Sequence, residues 1–255
     1  CQNGPTLTHL GKGFVMRNFI LAAALVSVAR GARALATTLA GSILVFSAQA
    51  GVTTSNVDPI NPNSWTSSTN VSIGPSSSGY MNLTNGASIT NNNAFIGSQS
   101  NGTLNSSSVS VNASTWLNSG EVRVGNQTAT NGSLTISNLA DVYANSVKLG
   151  SSHGSSGHVS VSGIGSQLIG TNHVVVGEGG AGNMTISAGG RVTNKWGSIA
   201  TQNGDGTGSV GGWANVYGAS SAWINETDLT VGFYGNAELT IQAGGRVDSG
   251  DSAWI

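Results

Sequence analysis

The residues able to do chemistry in this chain are few, and their spacing argues against most reactions. Ser252 lies in Gly250-Asp251-Ser252, the small-acid-serine context of a serine-protease nucleophile loop. The Gly-Ser that should follow is replaced by Ala253-Trp254, and the same place in other stretches reads "NNNAFI" (91–96) and "NSVKL" (145–149), so a turn serine is expected. His153, His158 and His173 fall within one short stretch without counterparts elsewhere, which suits exposed turn or outward positions better than a metal or base role. Arg191 and Arg246 both occur in "GGRV", but Ser88 and Asp141 hold the matching places, so the slot tolerates either charge and is read as solvated. Asp141 alone cannot supply the acid and base of glycan hydrolysis. The run "GEGGAGN" (177–183) lacks the Asp of a calcium-binding glycine-rich repeat, and no acidic cluster suggests a calcium site. Sequons such as those at Asn126 and Asn183 are expected by chance in so Asn- and Ser-rich a chain. No catalytic, cofactor-binding or metal-binding set is therefore assigned.

Charge narrows the classes further. Charged residues make up 7% of the 255 residues and the formal net charge is −1. No basic footprint for nucleic acid or for an anionic membrane surface follows from that composition.

Residues 1–50 read as a leader. Met16 begins "MRNFI" with a positive segment, Arg30 and Arg33 precede the apolar run "ALATTLAGSILVF" (34–46), and Ala48-Gln49-Ala50 is a small-x-small cleavage site. That run is shorter than the roughly 20 residues of a membrane-spanning helix. Export with cleavage after Ala50 is expected, with 16–50 as the signal; residues 1–15 carry no reading of their own. Cys1 is the one cysteine, so the exported part is expected to have no disulfide framework.

What must position any outward residue is a repeat. "WTSSTNVSIG" from Trp65, "WLNSGEVRVG" from Trp116, "LIGTNHVVVG" from Leu168 and "WINETDLTVG" from Trp223 share a bulky apolar start, apolar residues six and eight places later, and a closing glycine. Those glycines, Gly74, Gly125, Gly177 and Gly232, are 51, 52 and 55 residues apart. After each comes a second segment, "GYMNLTNGASI" (79–89), "GSLTISNLADV" (132–142), "GNMTISAGGRV" (182–192) or "AELTIQAGGRV" (237–247). Period-two alternation of Met81/Leu83, Leu134/Ile136, Met184/Ile186 and Leu239/Ile241 marks strands with one buried face. "VSV" at Val109 and Val159, and more loosely "ANV" at Ala214, divide each long unit into two similar halves.

Three short strands per half, linked by Gly/Asn/Ser turns without helical periodicity, describe one rung of a parallel β-helix of roughly 26 residues, two rungs to a repeat. Residues 51–72 are expected to form an N-terminal cap or irregular first rung, and 73–255 the repeats, truncated at Ile255. Trp65, Trp116 and Trp223 are expected in the core or at a corner. Asn118, Gly170 and Asn225, each two residues after the bulky start, are expected in the left-handed geometry of a sharp corner; Ser67 breaks that rule.

These patterns have a family likeness. "VGFYGNAELTIQAGGRV" (231–247), "VGEGGAGNMTISAGGRV" (176–192) and "WINETDLTVG" resemble the repeat shared by type V secretion autotransporter passengers and some PEP-CTERM-associated proteins, over residues from about Trp65 onward. The resemblance implies a right-handed parallel β-helix exported by a Sec-type signal. It also implies display on the bacterial surface through a C-terminal β-barrel translocator in the outer membrane, expected beyond Ile255. Family roles are adhesion, autoaggregation and biofilm formation, so the expected partner is a host or neighbouring-cell surface, a glycan, or another copy. Two other readings stay open: a β-helical glycan-active enzyme whose catalytic part lies elsewhere, and a structural matrix or surface-layer protein.

Overall fold

The computed structural model describes residues 50–98, 105–201 and 211–255, and the backbone of two strands before them. Most of the expected leader therefore lies outside the described residues. Within it β1 (Ala34–Thr37) and β2 (Ile43–Phe46) pair antiparallel as a unit by themselves.

The second unit, Gly51–Ile255, is a parallel β-solenoid. It opens with β3 (Gly51–Ser55) and β4 (Val57–Asp58), which pair antiparallel with β6 (Tyr80–Thr84) and β5 (Val71–Ile73) respectively. Every later pairing is parallel. The first turn of the coil is β6, β7 (Ser88–Asn91) and β8 (Ala94–Ile96); the second is β9 (Asn105–Asn112), β10 (Thr115–Asn118) and β11 (Glu121–Val124). The third is β12 (Thr130–Ser137), β13 (Asp141–Ala144) and β14 (Ser146–Leu149). In the fourth and fifth the later strands run together, giving β15 (Ser156–Ser162) with β16 (Gln167–Val176) and β17 (Ala181–Ser187) with β18 (Arg191–Ile199). The sixth is β19 (Gly211–Tyr217), β20 (Ala222–Asn225) and β21 (Leu229–Val231); the seventh is β22 (Asn236–Gln242), β23 (Arg246–Ser249) and β24 (Ala253–Trp254). First strands stack into an 8-stranded sheet that includes β3; second and third strands share a 14-stranded one.

Ladder registers explain which letters recur. Met81, Val109, Leu134, Val159, Met184, Ala214 and Leu239 form one inward column, and Leu83, Val111, Ile136, Val161, Ile186, Val216 and Ile241 the next. Leu134, Ile136 and Ile186 are fully buried. Ile241 is 48% exposed although its register with Val216 is the inward one, because no described strand stacks on the far side of β22. A side chain needs a rung on both sides to be covered, which is how stability becomes a property of the pile. Successive members of the first column are 28, 25, 25, 25, 30 and 25 residues apart. The basic rung is thus 25 residues, and both longer hops add their residues between a third strand and the next first strand, after Gly97 and after Ala200.

The corner closing each third strand requires left-handed backbone. Gly74, Gly125, Gly177 and Gly232 have φ of 79°, 70°, 82° and 77°; Gly97 and Gly150 fill the same place in intervening rungs, and Ala200 does so at φ 55°. Glycine takes this conformation without the steric penalty that a Cβ brings. The 52-residue period has a different source, the corner between first and second strands. One rung turns there through two successive left-handed residues, such as Asn138-Leu139 or Ala188-Gly189, and the next through a buried serine. The Leu139 N–H donates to Ser166 Oγ at 3.1 Å and the Gly189 N–H to Ser221 Oγ at 3.0 Å, so the two turn types interlock in pairs.

Trp65 is buried in the core, as expected, but it enters from a loop after the 3₁₀ turn at Pro62–Ser64, its indole donating to the Pro59 carbonyl at 3.0 Å, whereas Trp116 and Trp223 lie in strands. Its spacing to Gly74 is kept because the third strand, Val71 to Ile73, is shared. One expectation needs correction: Asn118, Gly170 and Asn225 are extended strand residues without positive φ. Asn118 and Asn225 are conserved between the two tryptophan rungs for their amides: Trp116 Nε1 donates to Asn91 Oδ1 (2.6 Å) and Asn91 Nδ2 to Asn118 Oδ1 (2.8 Å). Trp223, Asn194 and Asn225 repeat the arrangement at 2.7 Å and 2.7 Å. Room for the Trp223 indole comes from the neighbouring third-strand column, where Gly197 replaces Val174 or Leu229; a Cβ on Gly197 would meet Asn225 Oδ1 and the Trp223 ring.

Candidate functional site

With the interior filled, function is left to the outside of the coil. The first sheet presents a column of small polar side chains at ladder spacing: Asn82, Ser110, Thr135, Ser160, Thr185, Asn215 and Thr240. Exposed aromatics flank it at Tyr80, Trp213 and Tyr217. Trp213 lies folded back over Gly211, where a Cβ would collide with its six-membered ring. These aromatics escaped the sequence reading, although the inward assignment of Ala214 and Val216 already turns Trp213, Asn215 and Tyr217 outward.

The outer side of the third strands carries the charge. Lys148 bridges Glu178 at 2.8 Å and Glu121 at 3.4 Å, and Glu121 also accepts from Arg123 Nε at 2.8 Å, tying three successive rungs together. Burial works to raise the Glu121 pKa, but the Arg123 hydrogen bond and the charges of Arg123 and Lys148 outweigh it and hold the carboxyl below its ordinary range. Beside them His173 stacks on Trp196 with centroids 5.0 Å apart, and Lys195 Nζ sits 4.0 Å from the same ring. Burial, then the charges of Lys148 and Lys195, push the His173 pKa down.

Other residues weighed for chemistry are dispersed. His153 is in an exposed turn and His158 points outward from β15. Ser252 is half-buried beside β24, its N–H donating to Asp228 Oδ1 at 3.2 Å and its carbonyl accepting from Leu229 N–H and Ser249 Oγ. Among the described residues no three His, Cys, Asp or Glu side chains converge. Arg191 and Arg246 are both exposed, one rung position apart from Ala222 on either side.

Asp141 stands in that same column, paired in register with Thr115 and Gln167. Its Oδ1 is buried without a hydrogen-bond partner and burial raises its pKa. A raised carboxyl favours folding below the unfolded pKa and disfavours it as pH climbs through the folded value. Asp141→Asn is therefore expected to stabilise the fold at neutral pH by a few tenths of a kcal/mol to about 1 kcal/mol, the side chain being partly solvated, with the gain vanishing in acid. Thermal melts of both chains across that pH range check the sign.

Compared with known proteins, the chain matches no family model, no curated protein and no solved structure.

Proposed function

We propose that this chain is a non-enzymatic, secreted or surface-displayed β-helix, the passenger part of an autotransporter-like adhesin. It works by offering a long, weakly charged polar side to another cell, a surface glycan or a second copy of itself. The observation that supports this reading most is the uninterrupted outward column from Asn82 to Thr240 over a continuous apolar interior. A stack of short neutral hydroxyl and amide side chains is suited to many weak, repeated hydrogen bonds, which add through multivalency when two surfaces meet. Hollows beside Arg191, beside Glu121 and beside Trp213 lie along the outside of the coil, which suits contact with extended partners. Export and outer-membrane anchoring belong to the same reading, carried by the leader motif and the family resemblance.

The test is aggregation and attachment of bacteria displaying the full-length protein, with and without residues 73–255. Loss of clumping on deletion is expected. A finer variant places charge on alternate rungs of the polar column, Thr135→Asp with Thr185→Asp, which are not ladder partners. It is expected to keep the fold and to lose most aggregation, because like charges brought together between copies repel. Aggregation unchanged by both alterations would end the adhesin reading.

A further inference from the structure

Resting on that contact role, we infer that the groove beside the first corner of rungs four to seven binds an acidic glycan, with Arg191 and Arg246 taking carboxylates of two of its sugar units. The outward column just after this corner runs Ser88, Thr115, Asp141, Gln167, Arg191, Ala222, Arg246. Two ladder steps separate the arginines, about 10 Å along the solenoid axis. Between them Ala222 contributes only a methyl group, and this stretch of the column borders a groove of about 550 Å³ whose lining includes Gln167, Ser220 and Ser221.

Arg191 is available for a ligand. Among the described residues its one side-chain hydrogen bond is from Nε to Thr193 Oγ1 at 3.2 Å and no carboxylate pairs with it. Arg246 pairs with Asp248 at 2.9 Å, with the two side chains 63% and 38% exposed. So exposed a pair is weak, and a ligand carboxylate can compete for the guanidinium. Ile164, which is 76% exposed, lies over Gly189 at the side of the groove and gives it an apolar ledge.

That combination selects the ligand class. A uronate unit carries a carboxylate, hydroxyls and a C–H face on one rigid ring, matching guanidinium, the Ser220 and Gln167 side chains, and Ile164. Guanidinium takes carboxylate through paired charge-assisted hydrogen bonds. A stiff, regular polymer can meet both arginines at two-rung spacing without the rotamer entropy that an acidic peptide loses on long side chains. Asp141, two rungs before Arg191, repels an anion and ends the footprint there.

Affinity electrophoresis of the purified full chain in gels containing polygalacturonate tests the site, with dextran and poly-glutamate as the comparison polymers. Retardation by polygalacturonate alone is expected. Arg191→Ala and Arg246→Ala should each weaken it about tenfold, the loss of one charge-assisted hydrogen-bond pair, and the double variant should abolish it. Asp248→Asn should strengthen it by freeing Arg246. All these side chains are exposed, and circular dichroism melts identical to the parent's secure the comparison. A parent chain that is not retarded, a double variant retarded as much as the parent, or equal retardation by poly-glutamate overturns the site. The aggregation assay run in parallel separates the two ideas: clumping without retardation removes the glycan site alone, and retardation without clumping removes the adhesin role alone.

Discussion

Gly157→Ala is expected to destabilise the solenoid by about 4 kcal/mol or more, which places it in the exceptional tail of single substitutions. Gly157 is the second residue of a first strand and stacks in register between Gly132 and Gly182. A Cβ there would be driven into the Val124 carbonyl, the Gly150 nitrogen and the Leu149 Cα, all backbone atoms. A flexible side chain could swing aside, but a corner held by ladder hydrogen bonds above and below cannot. The same conflict faces Gly182 against Gly177 and Gly212 against the Val176 carbonyl. Gly154→Ala is the matched comparison: it sits in an open turn, with Thr128 Cγ2 at 3.8 Å as its nearest contact, and carries φ 71°. Its penalty is backbone strain alone, about 1 kcal/mol. Urea unfolding of the two variants measures the difference, and a Gly157→Ala chain as stable as Gly154→Ala would mean the corner relaxes.

Asn91→Ala is the second large effect, expected at about 2–4 kcal/mol. It strips Trp116 Nε1 of its acceptor and Asn118 Oδ1 of its donor inside a fully buried layer. A buried donor left without a partner forfeits its full desolvation energy. The chain itself contains the compensated alternative. In the third and fourth rungs Val142 and Leu168 replace the tryptophan, and Ala144 and Gly170 occupy the asparagine place. Accordingly Trp116→Leu combined with Asn91→Ala should lose less stability than the two single changes added, with a coupling of about 1–3 kcal/mol. Strict additivity in that double-mutant cycle would refute the indole-amide link.

The inward columns were legible because packing leaves them no freedom. Leu134 and Ile136 repeat as Met184 and Ile186 since each must fill the layer between two neighbours. Corner glycines such as Gly125 and Gly177 were legible for an equally local reason, their positive φ. What stayed hidden depends on contacts between rungs. Asn118 and Asn225 look like turn formers in one dimension, and their true task, an amide passed to the rung beside them, needs a partner some 30 residues away to be seen. Trp65 matched its sisters by spacing yet reaches the core from a loop. Ile241 has an inward register and still meets water, which no strand pattern can reveal. Arg191 and Arg246 were visible as a recurring letter, but the groove they line with Ala222, a residue without any motif of its own, was not.

The two long hops in an otherwise 25-residue coil carry a practical consequence. Extra residues enter after Gly97 and after Ala200, and the ladders on both sides resume in phase, Leu83 with Val111 and Ile186 with Val216. Gly125, Gly150 and Gly177 close geometrically equivalent corners. Each is therefore a docking port for foreign peptide: an epitope spliced there would protrude at a chosen height on the rod, and several could be arrayed a ladder step apart, without any change to the filling of the coil.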